Sequence, residues 1–346
     1  NGRFEGFSAT AIQIGGAGNM AVVIDGGLRN NGSATAVGIE ADVRALMIDS
    51  GATVADIYNQ GLLRAVGNGD SVFDVVAVDI AAGASVNNFT NRGRVTAVVA
   101  GEAADSIGIR DSSGGLTTFN NFGIIEASIV PTDSADDTDD DNLNAGDEVI
   151  TGQAIAVDLR ANTSGVVFIQ DGIIDGDDGN DGVADIDSDG DGVDDLDEPS
   201  ITGNILLGAG ADQVEIRNGV VNGDLSFGDG ADTFLVDGGA VVRGAITDSD
   251  GLLSIDVADG LLDARQATVT TITGLHLGSD SALIVTLDGA TGTVGGFQVN
   301  GTATIDDGAG LGARLTSLLN SPPDLNGGAA ATRFVIVDAT NLTVDV

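Results

Sequence analysis

An Asn-x-Gly signal returns through the first third of the chain at a nearly constant step. This recurrence limits the fold more than any other feature. The signal stands at Asn30-Asn31-Gly32, Asn59-Gln60-Gly61, Asn91-Arg92-Gly93 and Asn121-Phe122-Gly123, in steps of 29, 32 and 30 residues. Its surroundings keep phase: Ile57, Phe89 and Phe119 precede it. Upstream lie Asp-containing turns (Asp49 to Ala52, Asp79 to Ala84, Asp111 to Gly115), and before these come alternating strands such as Val75 to Ile80 and Ser106 to Arg110. A weaker copy follows, with a strand at Ala154 to Leu159, a turn at Asn162 to Gly165, and Gln170-Asp171-Gly172 in place of Asn-x-Gly. Period-two runs separated by Gly, Asn and Asp turns read as the coils of a solenoid, with Val, Ile or Ala inward and polar residues outward. One coil cannot bury its apolar face alone, so stacking must supply the core. Asn suits the turn, and its amide can bond to its counterpart one coil away.

A second repeat has a shorter step. Gly203 to Asp212 (GNILLGAGAD) matches Gly223 to Asp232 (GDLSFGDGAD) 20 residues later, and Gly244-Ala245-Ile246 opens a third copy 21 residues on. That step suits three short strands and three turns. The expected fold is therefore all-β, a right-handed parallel β-helix with acidic loop insertions. We divide it into 1–174, with Asn-x-Gly coils and an acidic insertion at 131–150 read as a solvated loop; 175–199, an acidic loop; 200–250, with the shorter coils; and 251–346, a C-terminal capping region that keeps strand patterning without a clear repeat.

Composition agrees and excludes several functions. The 53 Gly against 4 Pro point to many tight turns, and Gly does not recur every third residue as in collagen. Hydrophobic residues at 42% exclude a disordered acidic tail, and aromatics at 3% fit thin aliphatic layers. All 13 basic residues are Arg, against 53 acidic ones, and the net charge is −40. Nucleic acid is excluded as a partner and anionic membranes are disfavoured, while divalent cations are attracted. The absence of Cys removes disulfides, zinc–thiolate sites and Cys nucleophiles. Without a signal peptide or an apolar run of membrane-spanning length, the chain reads as a segment of a longer product.

One motif carries chemistry. From Asp187 the sequence reads DSDGDGVDDLDE, fitting D-x-D-x-D-G-x5-E. Asp187, Asp189 and Asp191 are the expected side-chain ligands, and Gly192 permits the turn. Val193 offers a carbonyl, Asp195 a water-mediated contact and Glu198 a bidentate closure. Such hard oxygens select Ca²⁺. No amphipathic helices flank the loop, which resembles thrombospondin type 3 and dockerin-like calcium loops. An overlapping half-match, Asp177, Asp181 and Asp185, implies a second ion sharing Asp187. Metal would relieve carboxylate repulsion and brace the junction between the repeat types. The Gly-rich turns at 206–212 and 227–232 match calcium β-roll nonapeptides only in part, and their step of 20 marks them as β-helix turns.

Catalytic signals are weak. The sole His, His276, lies in an alternating strand with no orderable partners, and no nucleophile elbow, P-loop or Rossmann fingerprint occurs. A polysaccharide-active β-helix enzyme would need a basic residue and sugar-stacking aromatics, yet Lys and Trp are absent and Tyr58 is the one Tyr. No enzyme is expected.

Three C-terminal segments, Ser281 to Gly289, Val299 to Ile305 and Arg333 to Ala339, together with the coils of 203–250, resemble bacterial autotransporter passengers and the stretch preceding their outer-membrane barrel. The resemblance implies secretion to the cell surface and contact with the outer membrane only through a barrel not present in this chain. The expected function is that of a calcium-stabilised surface protein, structural or adhesive. Its partner would be a cell-surface glycan or protein, or the chain itself through end-to-end or lateral assembly into a surface layer or filament.

Overall fold

The computed structural model describes residues 6–15, 21–131, 149–173, 187, 193–194, 197–317 and 334–345. The described residues form strands and turns, without α-helix. Strands stack on three faces. The first face is an 8-stranded parallel sheet running from Ala9–Ile14 through Val43–Ile48, Asp74–Ile80, Asp105–Asp111, Ala154–Asp158, Asn204–Leu206 and Leu225–Ser226 to Ile246–Thr247. The second face stacks Leu28–Asn30, Ala52–Asn59, Ser85–Asn91, Thr118–Asn121, Val167–Gln170, Gln213–Ile216 and Thr233–Val236. The third stacks Ser33–Ile39, Leu62–Asn68, Arg94–Ala100, Ile124–Val130, Ser200–Thr202, Val220–Asn222 and Val241–Gly244. The chain visits the faces in turn, so each circuit is one coil of a parallel β-helix.

The two repeat lengths build one architecture. In the longer coils many strands reach 6 to 8 residues, as in Val43–Ile48 and Ala52–Asn59. In the shorter coils they shrink to 4, 3 and 2 residues, as in Gln213–Ile216, Val220–Asn222 and Leu225–Ser226. Beyond residue 251 strands turn corners without a break. Ser254–Ala264 pairs with both Thr233–Val236 and Val241–Gly244, which merges the second and third faces into a 21-stranded sheet. Thr270–Asp288, 19 residues long, serves all three faces: 270–272 pairs with 297–299, 274–277 with 254–257, and 282–284 with 261–263. The last described strand is Val337–Val344.

Alternation puts the aliphatic residues inside, and one apolar cluster runs from Ala34 to Ile305. Within it Phe89, Phe119 and Phe168 are fully buried and stacked, with centroids 5.3 and 4.6 Å apart. Each contributes about 1.5–3 kcal/mol through burial.

The corner between the second and third faces explains the Asn-x-Gly signal. Asn30 Nδ2 donates to Asn59 Oδ1 at 2.7 Å, Asn59 to Asn91 at 2.8 Å, Asn91 to Asn121 at 2.9 Å, and Asn121 to Gln170 Oε1 at 3.1 Å. Gln170 continues the ladder by donating to the Asn218 carbonyl at 3.0 Å. Asn59, Asn91, Asn121 and Gln170 are wholly buried, where an unpaired amide would be costly. The Gly is demanded by proximity: a Cβ at Gly93 would lie 2.3 Å from the Gly61 carbonyl oxygen. That oxygen accepts the Arg94 N–H at 2.8 Å, holding the next coil in register.

Candidate functional site

Both acidic insertions leave the coil at corners. Residues 131–150 join the third face to the first, following Ile124–Val130 and preceding Ala154–Asp158. Residues 175–199 join the second face to the third, following Val167–Gln170 and preceding Ser200–Thr202, a connection that in earlier coils needs only Asn-x-Gly. Of the expected calcium ligands, Asp187 is exposed, Glu198 is half-buried and Val193 is buried. Asp177, Asp181, Asp185, Asp189, Asp191 and Asp195 lie outside the described residues. Among the described residues no cluster of three or more His, Asp or Glu could hold a metal ion.

Val193 has a side-chain role in addition to the carbonyl role expected of it. A Cβ on Gly172 would fall 2.3 Å from Val193 Cγ2 and 2.8 Å from Asn218 Nδ2. The valine thus plugs the corner where the amide ladder ends, and it needs a glycine opposite. Pro199 follows, its carbonyl accepting Val220 N–H at 3.2 Å, so the returning chain is pinned onto the first short-coil strand of the third face.

The outer surface of the first face carries a charged network. Asp79, almost fully buried, accepts from Arg44 Nε at 2.7 Å and from Arg110 Nε and Nη2 at 3.1 and 3.0 Å. Arg110 also reaches Asp74 at 2.7 Å. Burial pushes the Asp79 carboxyl up, but the two guanidinium groups outweigh it and hold it below its ordinary value. Arg110 is likewise pulled down by burial and held above its ordinary value by Asp79 and Asp74. Beside this network Val76, Ile107 and Ile155 make a small apolar patch. A groove of about 640 Å³ opens there, between Asp105, Arg110, Asp111, Asp158 and Arg160. Its carboxylates are engaged. Asp158 is bidentate with Arg160 at 2.9 and 2.7 Å, and Asp111 accepts backbone N–H groups of Ser113, Gly114 and Leu116. Asp105 takes the Gln153 N–H at 2.8 Å. These contacts fix turns and rungs.

The short coils treat carboxylates differently. Asp212 and Asp232, each closing one copy of the repeat, are 2% and 1% exposed. Asp212 Oδ1 accepts Val166 N–H at 2.8 Å and Asp232 Oδ1 accepts Asp212 N–H at 2.7 Å, while the Oδ2 of each is buried without a partner. Burial raises both to about 6. Asp248, one coil further, is also raised by burial and leaves Oδ1 unpaired. His276 sits on the outer surface between Asp256 at 2.7 Å and Asp306 at 3.3 Å. The Asp256 hydrogen bond raises its pKa, burial opposes it with a smaller effect, and the Asp306 hydrogen bond adds to the rise. Its partners come from neighbouring coils, which is why the local sequence offered none.

The Arg44–Asp79–Arg110 network was missed from sequence, although Asp79 and Arg110 face each other across adjacent coils at a step of 31. The burial of Asp212 and Asp232 was also missed: a closing Asp looks like any turn residue. No protein-family model, no curated protein and no solved structure matches this chain.

Proposed function

We propose that this chain is an extracellular, calcium-stabilised β-helical module with a structural or adhesive role, carried as an autotransporter passenger. The observation that carries the reading is the position of the acidic loop. It leaves the coil after Gln170 and rejoins it at Pro199, at the end of the amide ladder and the start of the short coils, with Val193 buried in the corner. The D-x-D-x-D-G-x5-E sequence supplies the calcium chemistry at that junction. Bound calcium would neutralise crowded carboxylates and hold Val193 in place. The autotransporter assignment rests on the sequence resemblance.

One further observation favours assembly as a second reading. Leu311, Leu315, Leu342 and Val344 are 46%, 53%, 55% and 47% exposed, although they stack on inward positions of the preceding coil. No described strand pairs with their far side.

The test is thermal melting and negative-stain imaging with calcium and with chelator. Single rods that melt at least 5 °C lower in chelator are expected. Calcium-driven chains or sheets would move assembly to first place, and an unchanged melt would end the bracing role of Asp187 to Glu198.

A further inference from the structure

The second face carries a groove of about 380 Å³ on its outer side, near the start of the coil stack. Its lining follows from strand register. Along one outward row Arg29 stacks on Tyr58, Tyr58 on Thr90, and Thr90 on Asn120. In the neighbouring row Asp56 stacks on Asn88, and Asn88 on Thr118. Neighbouring strands lie about 4.8 Å apart, so each row offers one polar group per such step.

The heights along these rows differ. The Arg29 guanidinium covers one side of the Tyr58 ring, 4.6 Å from its centroid. The next coil offers only the short Thr90 on the opposite side. The ring therefore stands as a wall over a low floor of hydroxyls and amides. Thr90, Thr118 and Asn120 have no side-chain hydrogen-bond partner among the described residues, and Asn88 donates to Asp56 at 2.5 Å. One cation and one carboxylate leave the groove close to neutral.

We propose that this groove binds a neutral oligosaccharide through a sugar unit set against the Tyr58 ring. An apolar sugar face packs on the Tyr58 ring, and ring hydroxyls meet Thr90, Asn88, Thr118 and Asn120 at successive rungs. A chain of net charge −40 repels polyanions, which selects uncharged glycans over sulfated or uronic ones. A flat polar floor with one aromatic wall suits a sugar better than a peptide, which needs apolar pockets or a free strand edge. The proposal gives the adhesive reading a ligand class and a site, and it rests on that reading for its biological setting.

The experiment is a screen of the whole chain against neutral and acidic oligosaccharides, followed by titration calorimetry on the best neutral binder. Tyr58→Ala should weaken binding at least tenfold and Tyr58→Phe less than threefold, while Asn120→Ala should weaken it severalfold. Circular dichroism and melting should stay unchanged in each variant. If Tyr58→Ala unfolds the chain, Asn120→Ala and Thr118→Ala decide. Absence of any neutral binder, preference for acidic glycans, or equal affinity in all variants would overturn the site. Adhesion to whole cells that survives Tyr58→Ala would overturn the groove and leave the adhesive reading standing.

Discussion

The long coils and the short coils share three faces and one core, yet they handle charge in opposite ways. In the long coils Asp79, buried on the outer wall, lies between Arg44 and Arg110 and is stabilised as an anion. In the short coils Asp212 and Asp232 are sealed into a corner with one oxygen each unpaired, and burial raises both to about 6. Strand length accounts for part of this contrast. Strands of 6 to 8 residues have outward positions where Arg and Asp of adjacent coils can meet, whereas strands of 2 to 4 residues place most side chains at corners. The two regions should therefore respond to pH with opposite sign.

The largest expected effect breaks the long-coil side. Asp79→Leu leaves two half-buried guanidinium groups without their shared carboxylate and should cost about 3–5 kcal/mol, read by chemical denaturation at pH 7. A loss under 1 kcal/mol would remove the network from the stability argument. The pH sign follows from the lowered pKa of Asp79. Its contribution is present above the ordinary carboxylate value and is lost as pH falls through the lower folded value.

Next in size is the amide ladder. Asn91→Ala removes the acceptor for Asn59 and the donor to Asn121, and should cost about 2–3 kcal/mol. The stack places Val236 of the short coils below Ile216 and Gln170. There Val236→Ala removes only apolar atoms and should cost roughly 1–2 kcal/mol. Equal losses would mean that the corner is held by packing in both regions.

The smallest effect has the opposite direction. Asp212 and Asp232 have raised pKa values, so their contribution is fullest below the ordinary carboxylate value of 3.8 and is lost as pH rises through about 6. Asp232→Asn keeps an acceptor for the Asp212 N–H and removes a buried charge. At pH 7 it should stabilise the chain by about 1 kcal/mol, and at pH 4 it should do almost nothing. Hydrogen exchange read peptide by peptide should show residues 203–250 gaining protection from pH 7 to 5 while residues 43–111 stay level. Destabilisation by Asp232→Asn at both pH values would show that a further partner holds the carboxylate.

What was legible in sequence was whatever repeats locally. Asn30, Asn59, Asn91 and Asn121 announce the ladder because each brings its own Gly and its own preceding apolar residue. The substitution of Gln170 was readable because Gly172 follows it. The pairing of Asp79 with Arg44 and Arg110 was not, since it depends on which residues face outward in adjacent coils, and a one-residue slip would reverse that. Beyond residue 251 the repeat fades for a physical reason. Thr270–Asp288 turns two corners as one strand, so no fixed Gly or Asn marks where the faces meet. Val193 was read for its carbonyl because a loop motif says nothing about which side chain returns to the core.

The amide ladder also has a polarity. In each amide-to-amide bond from Asn30 to Gln170 the side-chain N–H points toward the later coil and the side-chain carbonyl toward the earlier one. Such aligned amides add their dipoles, as peptide groups do in a helix. The column is thus a small permanent electret inside the stack, and its positive pole lies at Gln170, where the chain departs into its most acidic segment.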